Sequence, residues 1–186
     1  LLGWGGTFAT SDDSGESWVK DTTIIVLVVT PQRINDLEKS IINNSHLWVG
    51  GESVYSAPVL YRTTDAGLNW EPAPLNIPHD NSITSIALHP TSTDIIYVAV
   101  AGLGTIYAPG AIYKATDGGD EWVNSWPNDP DSTLNPLFVH PDAFAILSIV
   151  IDENNPDHLF CSGGPFVYET FDDWNTWEEM YPSVLN

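Results

Sequence analysis

A short segment that ends in tryptophan recurs four times along this chain, and that recurrence restricts what the chain can fold into more than any other property of its sequence. The copies are Ser11-Asp12-Asp13-Ser14-Gly15-Glu16-Ser17-Trp18, Thr63-Thr64-Asp65-Ala66-Gly67-Leu68-Asn69-Trp70, Ala115-Thr116-Asp117-Gly118-Gly119-Asp120-Glu121-Trp122 and Thr170-Phe171-Asp172-Asp173-Trp174-Asn175-Thr176-Trp177. The tryptophans fall at 18, 70, 122 and 177, intervals of 52, 52 and 55 residues, and Asp13, Asp65, Asp117 and Asp172 keep the same intervals. A fixed period of this size marks an array of like supersecondary units, each too small to bury its apolar face alone.

Within each full unit three short apolar runs precede the repeated box. They are Thr23–Thr30, His46–Gly50 and Val59–Thr63, then Ile83–Leu88, Ile95–Val100 and Ala111–Ala115, then Ala145–Ile151, His158–Cys161 and Phe166–Thr170. A fourth run opens at each tryptophan. The runs are rich in Val, Ile, Tyr and Trp and bounded by Gly, Pro, Asn and Asp, the pattern of strands. The expected fold is therefore all-β, a β-propeller of four-stranded antiparallel blades, with about three and a half blades present in an incomplete ring. The units divide as 1–21 (a partial blade), 22–75, 76–126 and 127–186. The first strands are nearly continuous apolar runs, which predicts that they line a central channel and are covered on both faces. Asn35–Ile42 has apolar residues at helical spacing and is expected to form a short surface helix.

The box has a physical account of its own. An Asp two residues before a Gly suits a tight turn, because the carboxylate accepts backbone N–H groups and the Gly takes a positive φ. The Trp then buries a large apolar surface between sheets while its indole N–H finds an acceptor. On this reading Asp13, Gly15, Trp18, Asp65, Gly67, Trp70, Asp117, Gly119, Trp122, Asp172 and Trp177 are structural; a catalytic group is needed once, not four times. Trp174 stands where the other copies have Gly, which predicts a turn of different shape there.

At these residues the chain resembles the Asp-box, or bacterial neuraminidase repeat, family, whose pattern Ser/Thr-x-Asp-x-Gly-x-Thr/Ser-Trp is met in full by Ser11–Trp18. The resemblance implies the propeller fold for nearly the whole chain. It leaves activity open, since the family includes sialidases, xyloglucanases, sortilin-type receptors and photosystem assembly factors. A sialidase, as the resemblance implies, uses three arginines on the substrate carboxylate. This chain has two, Arg33 and Arg62; Arg62 directly precedes a box, and Arg33 is expected in a loop on the box face.

Composition narrows the setting. Five Lys and Arg against 25 Asp and Glu leave a formal charge of −20, which disfavours nucleic acid and anionic membranes. Hydrophobic residues make up 42% of the chain, enough for a core rather than a disordered segment. No run is long enough to span a bilayer as a helix. The acidity and the resemblance lead to an expectation of an exported protein, extracellular or at the cell surface. The chain enters its first unit at what reads as a second strand, so the remaining blades are expected from a longer chain or a second copy. Cys161, the one cysteine, is expected to be a packed thiol.

Blade geometry places the boxes on one face and the loops joining second to third and fourth to first strands on the other. Those loops, Gly50–Pro58, Gly102–Gly110, Ser162–Pro165 and Trp126–Phe144, differ most in length, which marks them as candidate binding surface. Glu52, Asp80, Asp129, Asp131 and Asp142 are the candidate carboxylates of a glycosidase pair. Asn128, Asp129 and Asp131 form an oxygen-rich stretch that suits calcium, and no other cofactor is expected. Trp4, Tyr55, Tyr107 and Trp126 are candidate stacking surfaces for a carbohydrate or peptide. His79, His89 and His140 lack metal-ligand spacing and read as turn or strand-end residues. Two functions follow: a non-catalytic extracellular module for protein or carbohydrate binding or complex assembly, and, as the alternative, a xyloglucanase-like glycoside hydrolase.

Overall fold

The computed structural model describes residues 2–3, 7–11, 13–21, 31–53, 57–77, 81–102, 110–126, 146–163 and 166–180. These residues form strands and turns, with no helix among them. A three-stranded sheet contains β1 (Leu2–Gly3), β2 (Thr7–Thr10) and β3 (Val19–Asp21). Three four-stranded sheets follow: β4 (Pro31–Lys39), β5 (Leu47–Ser53), β6 (Pro58–Thr63) and β7 (Glu71–Pro72); β8 (Asn81–Leu88), β9 (Ile96–Gly102), β10 (Ala111–Ala115) and β11 (Val123–Trp126); β12 (Ile146–Asp152), β13 (Asn155–Gly163), β14 (Phe166–Thr170) and β15 (Glu178–Met180). Each is an antiparallel meander in chain order.

Two expectations for the first full sheet are corrected. The innermost strand is Pro31–Lys39; the run Thr23–Thr30, expected to fill that place, lies outside the described residues. Asn35–Lys39 accordingly belongs to a strand, not to a helix over 35–42. The physical reason is a β-bulge. Ile34 pairs with Gly51 and Asp36 with Gly50, so Asn35 is an extra residue in β4. The bulge brings Ile34 and Leu37 opposite Gly51 and Val49, on one face of the sheet, and both pack into the same apolar cluster. An i, i+3 apolar spacing that reads as helical is thus absorbed by a strand carrying one extra residue.

The same bulge recurs in the innermost strand of each of the three four-stranded sheets. Ile83 pairs with Val100 and Ser85 with Ala99, leaving Thr84 extra; Ile146 pairs with Gly163 and Ser148 with Ser162, leaving Leu147 extra. The bulges join neighbouring sheets. Asn35 Nδ2 donates to the carbonyl of Ile83 at 2.7 Å and to Ser82 Oγ at 2.8 Å. Thr84 Oγ1 reaches the carbonyl of Ile146 and that of Ala99. Beside the first of these, Asp36 Oδ2 accepts the backbone N–H of Ile86 at 2.6 Å.

Apolar packing fills the space between sheets. Trp48, Leu60, Ile83, Ile86, Val98 and Val100 make one cluster; Tyr97, Ile112, Ile146, Ile149, Leu159 and Tyr168 make the next. Gly50 is glycine because Ile83 of the following sheet lies where its Cβ would be. Cover on both faces holds for the innermost strand β8, where Asn81–Ile83 and Ser85–Ala87 are buried, but not for β12: Ile146, Ile149 and Ile151 are buried while Leu147 and Val150 are more than half exposed. Gly50–Ser53, expected in a loop, continue β5.

The bulge contact is testable without changing side-chain volume. Thr84→Val deletes one hydroxyl and leaves carbonyls of Ala99 and Ile146 without that donor, an expected cost of about 1–3 kcal/mol. Urea unfolding of this variant beside Thr84→Ser, which keeps the hydroxyl, measures it.

Candidate functional site

The four boxes close in one way. In the second, Asp65 Oδ1 accepts the N–H of Asn69 at 2.8 Å and the hydroxyl of Thr63 at 2.7 Å, and Oδ2 accepts Asn69 Nδ2 at 2.7 Å. Asp13 takes the N–H and hydroxyl of Ser17 and the hydroxyl of Ser11. Asp172 does the same with Thr176 and Thr170. The third copy, with Ala115 and Glu121 in the hydroxyl positions, relies on backbone alone: Asp117 Oδ1 accepts the N–H groups of Gly119, Asp120 and Glu121 at 3.0–3.3 Å. These donors favour the ionised form. They hold Asp13, chiefly through the Ser17 hydroxyl, at about 2, and lower Asp65, Asp117 and Asp172, chiefly through the N–H groups of Asn69, Glu121 and Thr176.

Each turn also carries two successive residues at positive φ: Ser14 and Gly15, Ala66 and Gly67, Gly118 and Gly119, Asp173 and Trp174. Trp174, expected to reshape its turn, instead keeps it. Its φ is 66°, and its N–H is held by Thr170 Oγ1 at 3.0 Å just as Gly67 N–H is held by Thr63 Oγ1 at 3.1 Å. Burial offsets the backbone strain, since the Trp174 side chain has no solvent exposure and lies 5.3 Å from Trp126.

The closed turns are joints between sheets. Trp48 packs over Gly119, where a Cβ would collide with it, and meets Trp122 edge-on at 6.1 Å. Arg62 donates to the carbonyl of Gly118 and pairs with Asp120 and Glu71, each at 2.7 Å. One sheet further on, Tyr97 donates its hydroxyl to Asp173 at 2.8 Å and Lys114 pairs with the same carboxylate. The box tryptophans differ in cover: Trp70 is buried, whereas Trp18 is half exposed. Trp18 and Trp122 donate their indole N–H to the carbonyls of Gly15 and Gly119 at 3.1 Å.

Several expected ligand-facing residues lie elsewhere. Trp126 is buried within a cluster of Tyr168, Trp174 and Trp177 and offers no face for stacking. Arg33 is at the start of β4, on the face opposite the boxes, and lies 3.6 Å from Glu52; the Glu52 side chain is only 12% exposed. Cys161 is buried and its thiol is pushed up by burial, as a packed thiol should be. His89 follows the last residue of β8, a strand-end place. Trp4, Tyr55, His79, Asp80, Tyr107, Asn128, Asp129, Asp131, His140 and Asp142 lie outside the described residues. Among the described residues no group of three or more His, Cys, Asp or Glu is placed to hold a metal ion.

A feature the sequence did not single out lies at the ends of the innermost strands. Glu38, Lys39, Ile41, Ile86, Leu88 and Glu153 line an open cavity of about 200 Å³. It is on the box face, because the turns after the innermost strands sit beside the boxes: Ala66 N–H bonds to the carbonyl of Ser45 and Gly118 N–H to that of Asp94, both at 3.0 Å. Glu38 is half-buried, and burial, with the neighbouring charge of Asp36, raises its carboxyl above the ordinary range. No periodicity marked it, since its position depends on the bulge at Asn35.

The repeated four-stranded sheets packed face to face, with boxes on one face and innermost strands converging, define a β-propeller. No protein-family model matches the chain, and no curated protein does. Solved structures share the fold. An ancestral GH74 enzyme aligns with 94% of this chain at a TM-score of 0.65 and 20% identity, and the GH74 xyloglucanase from Xanthomonas campestris with 88% at 0.64 and 16%. YCF48 bound to D1 peptide aligns with 78% at 0.51 and 23%. The chain spans 21%, 24% and 38% of those three chains respectively.

The box carboxylates make stability depend on acid. Their folded pKa values lie below the ordinary 3.8, so their contribution is present above that value and is lost as pH falls through the folded one. Asp65→Asn should lower the thermal midpoint at pH 7, with the difference from the parent narrowing toward pH 2; thermal melts across that range check it.

Proposed function

We propose that the chain is part of a non-catalytic β-propeller of the Asp-box type, exported from the cell, that binds a protein partner at the channel mouth on its box face. The cavity there carries this reading. Its walls are aliphatic, with Ile41, Ile86 and Leu88, and its rim is charged, with Glu38, Lys39 and Glu153. Among the described residues no aromatic side chain lines it. Carbohydrate rings stack on aromatic faces, whereas an aliphatic floor with a mainly acidic rim suits a peptide bearing apolar and basic side chains. The four box carboxylates are committed to their own turns, which supports a structural role for them. Fold alone does not choose between functions, as YCF48 bound to D1 peptide and the xyloglucanases share it.

The test uses a fluorescent peptide of alternating Leu and Lys. It should bind the chain, with affinity falling about tenfold or more when Ile41→Lys places a like charge on the exposed cavity wall. Binding unchanged by that substitution would rule out the cavity as the peptide site.

The glycoside hydrolase reading has one observation in its favour, the raised carboxyl of Glu38 in the same cavity as Glu153. It requires two carboxylates separated by roughly 5–9.5 Å. Release of reducing ends from xyloglucan, abolished by Glu38→Gln, would establish it in place of the binding module; no release is expected.

Glu38 also gives a stability prediction. Its folded pKa is raised above the ordinary 4.5, so the folded chain holds the proton more tightly, and that stabilisation is complete below 4.5 and lost as pH rises through the folded value. Glu38→Gln should therefore raise the thermal midpoint relative to the parent at pH 7, with the gain vanishing near pH 4.

A further inference from the structure

The outward face of the last sheet repeats, with reversed charge, the surface by which each earlier sheet grips the next. Register identifies the corresponding residues: Trp48 pairs with Arg62, Tyr97 with Lys114 and Phe160 with Glu169. The first two pairs each hold the following box, the aromatic ring against its turn and the cation on its carboxylate or carbonyl. Among the described residues no sheet follows the third pair. Its face is apolar on the inner side, where Leu147, Val150 and Val167 are 53%, 54% and 40% exposed. Toward the rim His158 is stacked on Phe171 at 4.0 Å, lies against Phe160 at 4.1 Å, and bonds Glu169 at 2.9 Å.

Both polar fasteners of the earlier joints are replaced here. Leu147 stands at the bulge position where Asn35 and Thr84 donate to the next sheet, and a leucine donates nothing. Glu169 stands where Arg62 and Lys114 meet acids. We propose that this face docks a further four-stranded blade whose box turn carries a lysine or arginine onto Glu169, while its innermost strand covers Leu147, Val150 and Val167 by apolar contact alone. Continuity with two visible joints supplies the geometry, and charge complementarity supplies the cation.

A second copy of this chain is a poor occupant. Among the described residues the box that no sheet precedes is the first, whose fourth turn position, the place of Asp120 in the Arg62 joint, holds Glu16 and would set carboxylate against carboxylate. Two bodies of formal charge −20 also repel. The last joint therefore differs in polarity from the two before it, and blades in this array are not interchangeable.

Thermal unfolding and particle mass of the native full chain test this with Glu169→Gln, Glu169→Lys and His158→Gln. A cation opposite Glu169 predicts that Glu169→Lys lowers the midpoint by more than twice the loss from Glu169→Gln, that high salt narrows the difference, and that His158→Gln costs less than half as much as Glu169→Lys. Three results would overturn the proposal. Glu169→Lys could match or exceed the parent, meaning that the next turn is acidic. His158→Gln could reproduce the whole loss, meaning that Glu169 serves its own sheet. A particle of twice the chain mass, split by Glu169→Lys, would assign the face to a second copy.

Discussion

A carboxylate that accepts the N–H groups of its own turn is the contact on which this structure depends. Two successive residues at positive φ are costly in an isolated peptide unless glycine or local hydrogen bonds support them. Asp65 supplies those bonds in the second box, and the hydroxyl of Thr63 completes the set by accepting the Gly67 N–H. With the turn closed, its backbone and its tryptophan present a fixed surface beside the third and fourth strands. The preceding sheet then has something rigid to grip. Where the hydroxyls are missing, as at Ala115 and Glu121, Gly118 and Gly119 both relieve the strain and the backbone donors suffice.

The joints share a plan but differ in chemistry. At the first, Trp48 occupies the space that Gly119 leaves open; at the second, the turn itself contributes the large ring, Trp174, and the preceding sheet offers the smaller Tyr97. Ring volume is conserved across the joint while its source changes sides, as dense interiors require. Bulges give the inner ends a parallel device. Because the extra residue falls at one register position in all three four-stranded sheets, the side chains of Asn35 and Thr84 arrive beside the next bulge rather than at its edges.

What was legible in the sequence was local and repeated. The Asp-to-Trp spacing identified the turns, and β-branched runs bounded by turn residues located the second and third strands to within a few residues. What was not legible required pairing partners. The bulge at Asn35 turns an alternating strand into an apparent helix pattern, and only Gly50 and Gly51 opposite reveal it. Trp126 looked available because it ends a strand before a long connection, yet Tyr168 and Trp174 from the next sheet enclose it. The Gly-to-Trp change at Trp174 suggested a different turn; the space beside Trp126, invisible from sequence, is what lets the same turn persist. Glu38 was missed because its raised carboxyl follows from burial against residues of other sheets, which no spacing encodes.

Boxes acting as joints between sheets are the central feature of this fold. A double-mutant cycle combining Tyr97→Phe and Asp173→Asn, read by urea unfolding, measures that directly, because the two side chains meet across the joint at 2.8 Å and belong to different sheets. Joint formation predicts a coupling of about 1 kcal/mol or more. Additivity within about 0.3 kcal/mol would contradict it and leave each box as an ornament of its own sheet.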